Sequence, residues 1–163
     1  MLTVGDWDVT TEAGVLACYD AAFADVYRYA ARLAGDRAAA EDLTQETFVR
    51  LVRAARSGSV TSIGLGWLIT TARRLFLDGV RASGREERRL RLVAADPPRD
   101  AQPSPTDQGL LAGLSDRERA ALVFRYVDDL SVPEVAALLG ASVRATESLL
   151  QRAKRRARGA ASA

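Results

Sequence analysis

The chain contains no histidine and a single cysteine, Cys18. Those two scarcities exclude Ser-His and Cys-His catalysis, intrachain disulfides, and zinc sites built from cysteine and histidine. Cys18 lies among Val15, Leu16, Tyr19 and Phe23 at helical spacing, where a thiol is expected to pack as a small core group. No apolar run approaches the roughly 20 residues that span a bilayer. The opening stretch MLTVGDWDVTTE is acidic where a secretory leader would be basic. A cytoplasmic protein without membrane insertion is expected. A glycine-rich phosphate loop and converging carboxylates are also missing, so no catalytic residues, metal site or cofactor are expected.

Proline is sparse and uneven. Four of the five prolines fall in DPPRDAQPSPTDQG, Asp96 to Gly109, which has no apolar periodicity and reads as an exposed, flexible linker. It divides the chain into modules at residues 1–95 and 110–163. Apolar residues make up 48% of the 163, enough for real cores. The formal net charge of +2 conceals segregation. Residues 1–50 carry 4 basic and 9 acidic side chains, whereas residues 51–95 carry 9 basic and 3 acidic. The linker is mildly acidic, and residues 110–163 carry 9 basic against 6 acidic. Blocks of opposite sign suggest two kinds of partner surface, one of them nucleic acid.

Both halves read as helical, so the expected fold is all-α: two small helical domains joined by the proline-rich linker. Val15, Leu16, Tyr19, Phe23, Val26, Tyr27, Ala30 and Leu33 recur at spacings of three and four. Gly35-Asp36 ends that helix and caps the next, whose stripe is Leu43, Thr47, Phe48, Leu51 and Val52. A serine- and glycine-rich loop follows from Ser57 to Gly66, in which SVTSI is a candidate extended segment. A third helix starts near Gly66 and is expected to break at Ser83-Gly84 before the basic stretch REERRLRLV.

After the linker come two capping boxes, Ser115 to Glu118 and Ser131 to Glu134, the second with Pro133 in its first turn. Gly140 suits a left-handed corner and Ser142 an N-cap, which together make a helix-turn-helix signature. On the last helix Val143, Thr146, Leu149, Leu150, Ala153 and Ala157 gather on one side. Arg144, Ser148, Gln151 and Arg155 gather opposite, flanked by Glu147 and Arg152. These side-chain types read base edges in a major groove. Lys154, Arg156 and Arg158 are placed to meet phosphates. A merely solvated face mixes signs, but six of the seven charges from Arg144 to Arg158 are positive. Asp128-Asp129, just before a helix start, reads as loop solvation and dipole pairing.

From about Val15 to Arg158 the chain resembles bacterial RNA polymerase sigma factors of the extracytoplasmic-function group. AEDLTQETFVRL, Ala40 to Leu51, is similar to the segment that grips the polymerase β′ clamp helices. GWLITTARRLFLDGVR, Gly66 to Arg81, is similar to the segment that opens and reads the −10 promoter element. The sequence from Leu114 to Arg158 is similar to the domain that reads the −35 element. The resemblance implies a sigma factor that binds core RNA polymerase, through the β′ clamp and the β subunit, and promoter DNA. It implies an anti-sigma factor as a further candidate partner.

On that resemblance Asp42, Gln45 and Glu46 form the polymerase-binding edge. Arg144, Glu147, Ser148, Gln151, Arg152 and Arg155 contact the −35 element. Trp67, Arg73, Arg74 and Arg81 contact the −10 element, with Arg85, Arg88 and Arg89 extending a positive groove for single-stranded DNA. Trp67 has two readings, a wedge at the edge of the melted region or a core residue. The family often has asparagine at Arg74, Gly-Thr-Val at Arg144-Ala145-Thr146 and a basic residue at Leu149. These departures bear on promoter sequence rather than on the module. A LuxR-type regulator shares the C-terminal pattern but carries a receiver or sensor ahead of it, and residues 1–95 lack the βαβ alternation of a receiver.

Overall fold

The computed structural model describes residues 5–93, 111 and 113–162. The linker at Asp96 to Gly109 lies outside the described residues. The elements run β1 (Trp7–Asp8), α1 (Glu12–Ala34), α2 (Arg37–Arg56), β2 (Ser62–Ile63), α3 (Leu65–Val93), α4 (Asp116–Tyr126), α5 (Val132–Leu139) and α6 (Val143–Ala161). The strands pair antiparallel, Trp7 opposite Ile63 and Asp8 opposite Ser62. The extended segment expected within SVTSI is therefore present, and its partner comes from the acidic N-terminal stretch.

Local chemistry explains the boundaries. Thr11 caps α1 by accepting from the Gly14 amide at 3.1 Å, and Asp36 caps α2 by accepting from Ala39 at 2.8 Å. Gly35 ends α1 with φ of 79°, the left-handed geometry that glycine adopts without Cβ strain. A Cβ there would also strike the Arg119 guanidinium. Both capping boxes form, at Ser115 with Glu118 and at Ser131 with Glu134.

Two sequence expectations change. Helix α3 runs unbroken through Ser83-Gly84. A mid-helix glycine costs only about 1 kcal/mol, and Gly84 has open space around it, so nothing forces a kink. The apolar stripe of α1 is also rotated. Cys18, Ala22, Val26, Tyr29, Ala30 and Leu33 are buried, while Leu16, Tyr19 and Phe23 lie exposed. The small Cys18 and Ala22 sit at the helix contact, and the bulky aromatics are left at its edge. There Tyr19 packs on Phe23 and Phe48 with ring centroids 5.2 and 4.8 Å apart.

One core lies within the N-terminal module, around Val26, Phe48, Leu51, Ile63 and Leu68, with the fully buried Cys18 among them. Burial pushes the Cys18 thiol up to about 11. The other core crosses between modules. Tyr29, Leu33, Ala72 and Leu77 of α1 and α3 pack with Leu114, Phe124, Val135, Leu139 and Leu150 of the C-terminal module. The two halves lie face to face in this structure.

Candidate nucleic-acid and protein interfaces

Helices α5 and α6 meet at a corner where Gly140 takes φ of 60° and Ser142 accepts from the Ala145 amide. Thr146, Leu149, Leu150, Ala153 and Ala157 of α6 are buried against the module. Arg144, Glu147, Ser148, Gln151, Arg152 and Arg155 all face solvent, so the structure brings the expected six onto one open surface. Val143 departs from the expected packed side and is 44% exposed. A helical side chain covers the turn N-terminal to its own Cα, and at Val143 that turn is the corner loop, with no helix beneath it.

The basic tail of α6 also differs in detail. Arg156 donates from Nη1 to a Glu118 carboxylate oxygen at 3.0 Å. Glu118 is buried and also accepts from the Ser115 amide and hydroxyl. Arg156 thus completes the polar shell of a capping box, where the sequence placed it on phosphate. Lys154 Nζ sits 4.8 Å from the Tyr126 ring centroid, a cation–π contact. Tyr126 and Val127 are exposed beside a groove of about 420 Å³ whose walls include Leu122, Val123 and Ala157, with Arg32, Lys154 and Arg158 at its rim. Sequence periodicity gave no sign of this groove, because Tyr126 and Val127 end one helix and Lys154 and Arg158 stand on another.

On α2, Asp42 and Gln45 are exposed and Glu46 is half-buried, paired with Arg50 at 3.1 Å. Thr44 and Thr47 on the inward side donate their hydroxyls to the carbonyls of Ala40 and Leu43, so no buried polar group there lacks a partner. The three expected polymerase-binding residues occupy one continuous outer edge.

Helix α3 separates its expected DNA contacts. Arg74, Arg85, Arg88 and Arg89 are exposed. Trp67 is half-buried against the N-terminal core, so it serves packing while keeping part of its indole in solvent. Arg73 does not face solvent: its side chain is 20% exposed and its Nη2 lies 3.0 Å from an oxygen of Asp128, itself 7% exposed. The same Asp128 oxygen accepts from the Tyr29 hydroxyl at 2.8 Å, and Arg73 donates from Nε to Tyr29 at 3.4 Å. Burial holds the Tyr29 phenol above its ordinary range. Asp128 is therefore a tertiary contact, correcting its reading as loop solvation and helix-dipole pairing. The next residue, Asp129, turns the chain in the left-handed region at φ of 54°. Arg81, although exposed, donates to the Leu138 carbonyl at 3.0 Å.

Among the described residues, no group of three or more His, Cys, Asp or Glu side chains is placed to hold a metal ion, and no helix is long and apolar enough to cross a membrane. What the geometry defines is a helical module with an acidic outer edge joined to a helix-turn-helix whose second helix is open and polar.

Comparison with known proteins gives that description a family. The Sigma-70 region 2 profile matches residues 18–86 and the Sigma-70 region 4 profile residues 108–156. The chain is 35% identical over 144 residues to the ECF RNA polymerase sigma factor SigE of Mycolicibacterium smegmatis, covering 82% of this chain and 56% of that one. It is 31% identical over 140 residues to SigM of Bacillus subtilis, covering 81% of this chain and 85% of the relative. The chain belongs to the ECF RNA polymerase sigma factors. It spans little more than half the length of some of these relatives, 56% for SigE. In fold it is similar to the sigma factor RpoE of Bartonella quintana, solved with the anti-sigma factor NepR, at a TM-score of 0.53 and 23% identity over 90% of this chain and 96% of that one. The match to Sigma-70 region 2 disfavours a LuxR-type regulator, whose resemblance is confined to the C-terminal half.

Proposed function

We propose that this chain is a cytoplasmic, non-catalytic promoter-recognition subunit that joins core RNA polymerase and directs initiation at a −35/−10 promoter pair. The observation that carries this reading is the open face of α6, where all six expected base- and phosphate-contacting residues are exposed while the opposite face is buried. Arg144 near the helix start suits guanine, and Glu147 suits the exocyclic amine of cytosine. Asp42, Gln45 and Glu46 dock on the β′ clamp through charge complementarity, and the basic-rimmed apolar groove beside Tyr126 suits an apolar helix of the β subunit. On α3, Trp67 stacks at the edge of the melted element, and Arg74 with Arg73 and Arg81 holds the single strand. The Ser57 to Gly64 segment ahead of this helix captures an extruded base in this reading. An anti-sigma factor is a partner in the same reading, as NepR is for the Bartonella protein.

Run-off transcription with core polymerase and a promoter library tests this. Start sites sharing two spaced elements are expected. Failure to co-elute with core polymerase would rule out the sigma-subunit role.

A further inference from the structure

The sigma-factor role leaves one ordered segment unused. Strand β1 comes from the acidic opening stretch, yet it pairs with β2, inside the Ser57 to Gly64 segment ahead of α3. The two halves of that segment are held differently. The amides of Gly58, Ser59 and Val60 donate to the Ala55 and Ala54 carbonyls at the end of α2, at 3.1, 3.0 and 3.4 Å. Thr61 to Ile63 is held by β1, whose neighbour Val9 donates its amide to the Thr61 carbonyl at 2.9 Å. Thr61 and Ser62 keep their side chains in solvent. A two-stranded ribbon is marginal by itself. Here Val9 and Ile63 are buried in the N-terminal core and Trp7 packs against it, which keeps the ribbon formed. The strand also constrains α1. Gly14 stands in the first turn of that helix, where glycine is unfavourable. A Cβ at Gly14 would strike the backbone carbonyl of Asp8, so the glycine lets β1 cross the helix start.

We infer that β1 is a positioning element for −10 readout: seated across Gly14, it pairs with Thr61 to Ile63 and holds the base-capturing segment in its receptive shape before DNA arrives. This rests on the proposed capture of an extruded base by Ser57 to Gly64; β1 itself need not touch the base. A segment ordered in advance loses less conformational entropy when it closes on a ligand. That matters here because unstacking the base already opposes capture. Strand β2 also leads directly into α3, where the Trp67 amide donates to the Gly64 carbonyl at 3.1 Å. The same pairing therefore sets Trp67 relative to the segment. Released from β1, the backbone of Thr61 to Ile63 samples more shapes and distinguishes bases less well. Contacts to duplex DNA through α6 stay as they were. The signature is a loss of selectivity confined to one element.

The test uses the full-length chain with core polymerase and a promoter library randomised at both elements. Gly14→Ala removes no side chain and favours helix, but it displaces β1. Hydrogen exchange should show the Val9 amide losing its protection, with helical circular dichroism unchanged. Base preference in the −10 element should then flatten about tenfold, within the worth of one base-specific contact, while preference in the −35 element is retained. Trp7→Ala, which loosens the strand from its core without touching α1, should shift the −10 preference in the same direction. Gly5→Ala makes the same change where a Cβ meets nothing, and should alter neither exchange nor preference. A Val9 amide that stays protected in Gly14→Ala would show that the crossing does not hold the strand, and the inference fails. Lost protection with an intact −10 preference, or an equal loss at both elements, would leave β1 a structural strand only. Thr61→Ala and Ser62→Ala probe the capturing segment directly. If they shift the −10 preference and Gly14→Ala does not, the positioning role is wrong. If none of the three shifts it, the error lies in the base-capture reading itself.

Discussion

At the scale of single residues, charge of one kind does several jobs. Arg144 and Arg156 both stand on α6 and both look like DNA contacts in sequence, yet only Arg144 is unengaged by another side chain among the described ones. Arg144→Ala is expected to weaken transcription from particular promoters by about 1–3 kcal/mol. A loss uniform across a promoter library would show that Arg144 does not read bases. Arg156→Ala should act on folding: thermal stability falls by about 1 kcal/mol, since Glu118 keeps its Ser115 bonds and Arg156 is 62% exposed. Cys18 gives a pH prediction. Its folded value of about 11 lies above the ordinary 9.0, so the folded chain holds the thiol proton more tightly. That contribution is complete below pH 9.0 and lost as pH rises through about 11. Thiol-reagent kinetics should find Cys18 inert near neutrality in the folded chain and reactive once it is denatured.

At the scale of elements, caps and stops were readable because they are local. Thr11 aside, the serine and aspartate caps and the Gly35 and Gly140 corners follow from four- to six-residue patterns that need no tertiary partner. The supposed break at Ser83-Gly84 failed for a related reason: glycine lowers helix propensity, but a long run of arginine, glutamate and leucine outweighs one such residue. Gly84→Ala should therefore stabilise the chain by about 0.5–1 kcal/mol, because the position is helical and has open space around it. Denaturant midpoints measure this, and the absence of any gain would argue that α3 is interrupted there. The rotated stripe of α1 has another origin. Periodicity finds an apolar side, but Cys18 and Ala22 scarcely register beside Tyr19 and Phe23, although close helix packing selects the small ones.

At the scale of the whole molecule, the two modules share a core. A chain of two independent domains would unfold in two steps, whereas burial of Tyr29, Leu33, Ala72 and Leu77 against the C-terminal helices couples the halves. A single calorimetric transition is expected, with van't Hoff and calorimetric enthalpies equal. Two resolved transitions would mean that the shared core is too weak to couple them. The same coupling bears on function, since any partner that separates the modules exposes apolar surface and must offset that cost with its own contacts.

The linear sequence determined the helical class, the capping chemistry and the open face of α6. Each depends on spacing within one element or on a short motif, which is information the chain carries locally. It also placed Asp42, Gln45 and Glu46 on one outer edge, for the same reason. Only the tertiary structure decided that Asp128 meets Arg73 and Tyr29, that Arg119 caps a helix of the other module, and that Arg156 serves Glu118. The Asp128 and Arg119 contacts join residues far apart in the chain, and Arg156 joins two helices of one module. A charged side chain's partner is chosen by which surfaces the packed helices bring within about 3 Å, and no periodicity along the sequence encodes that distance.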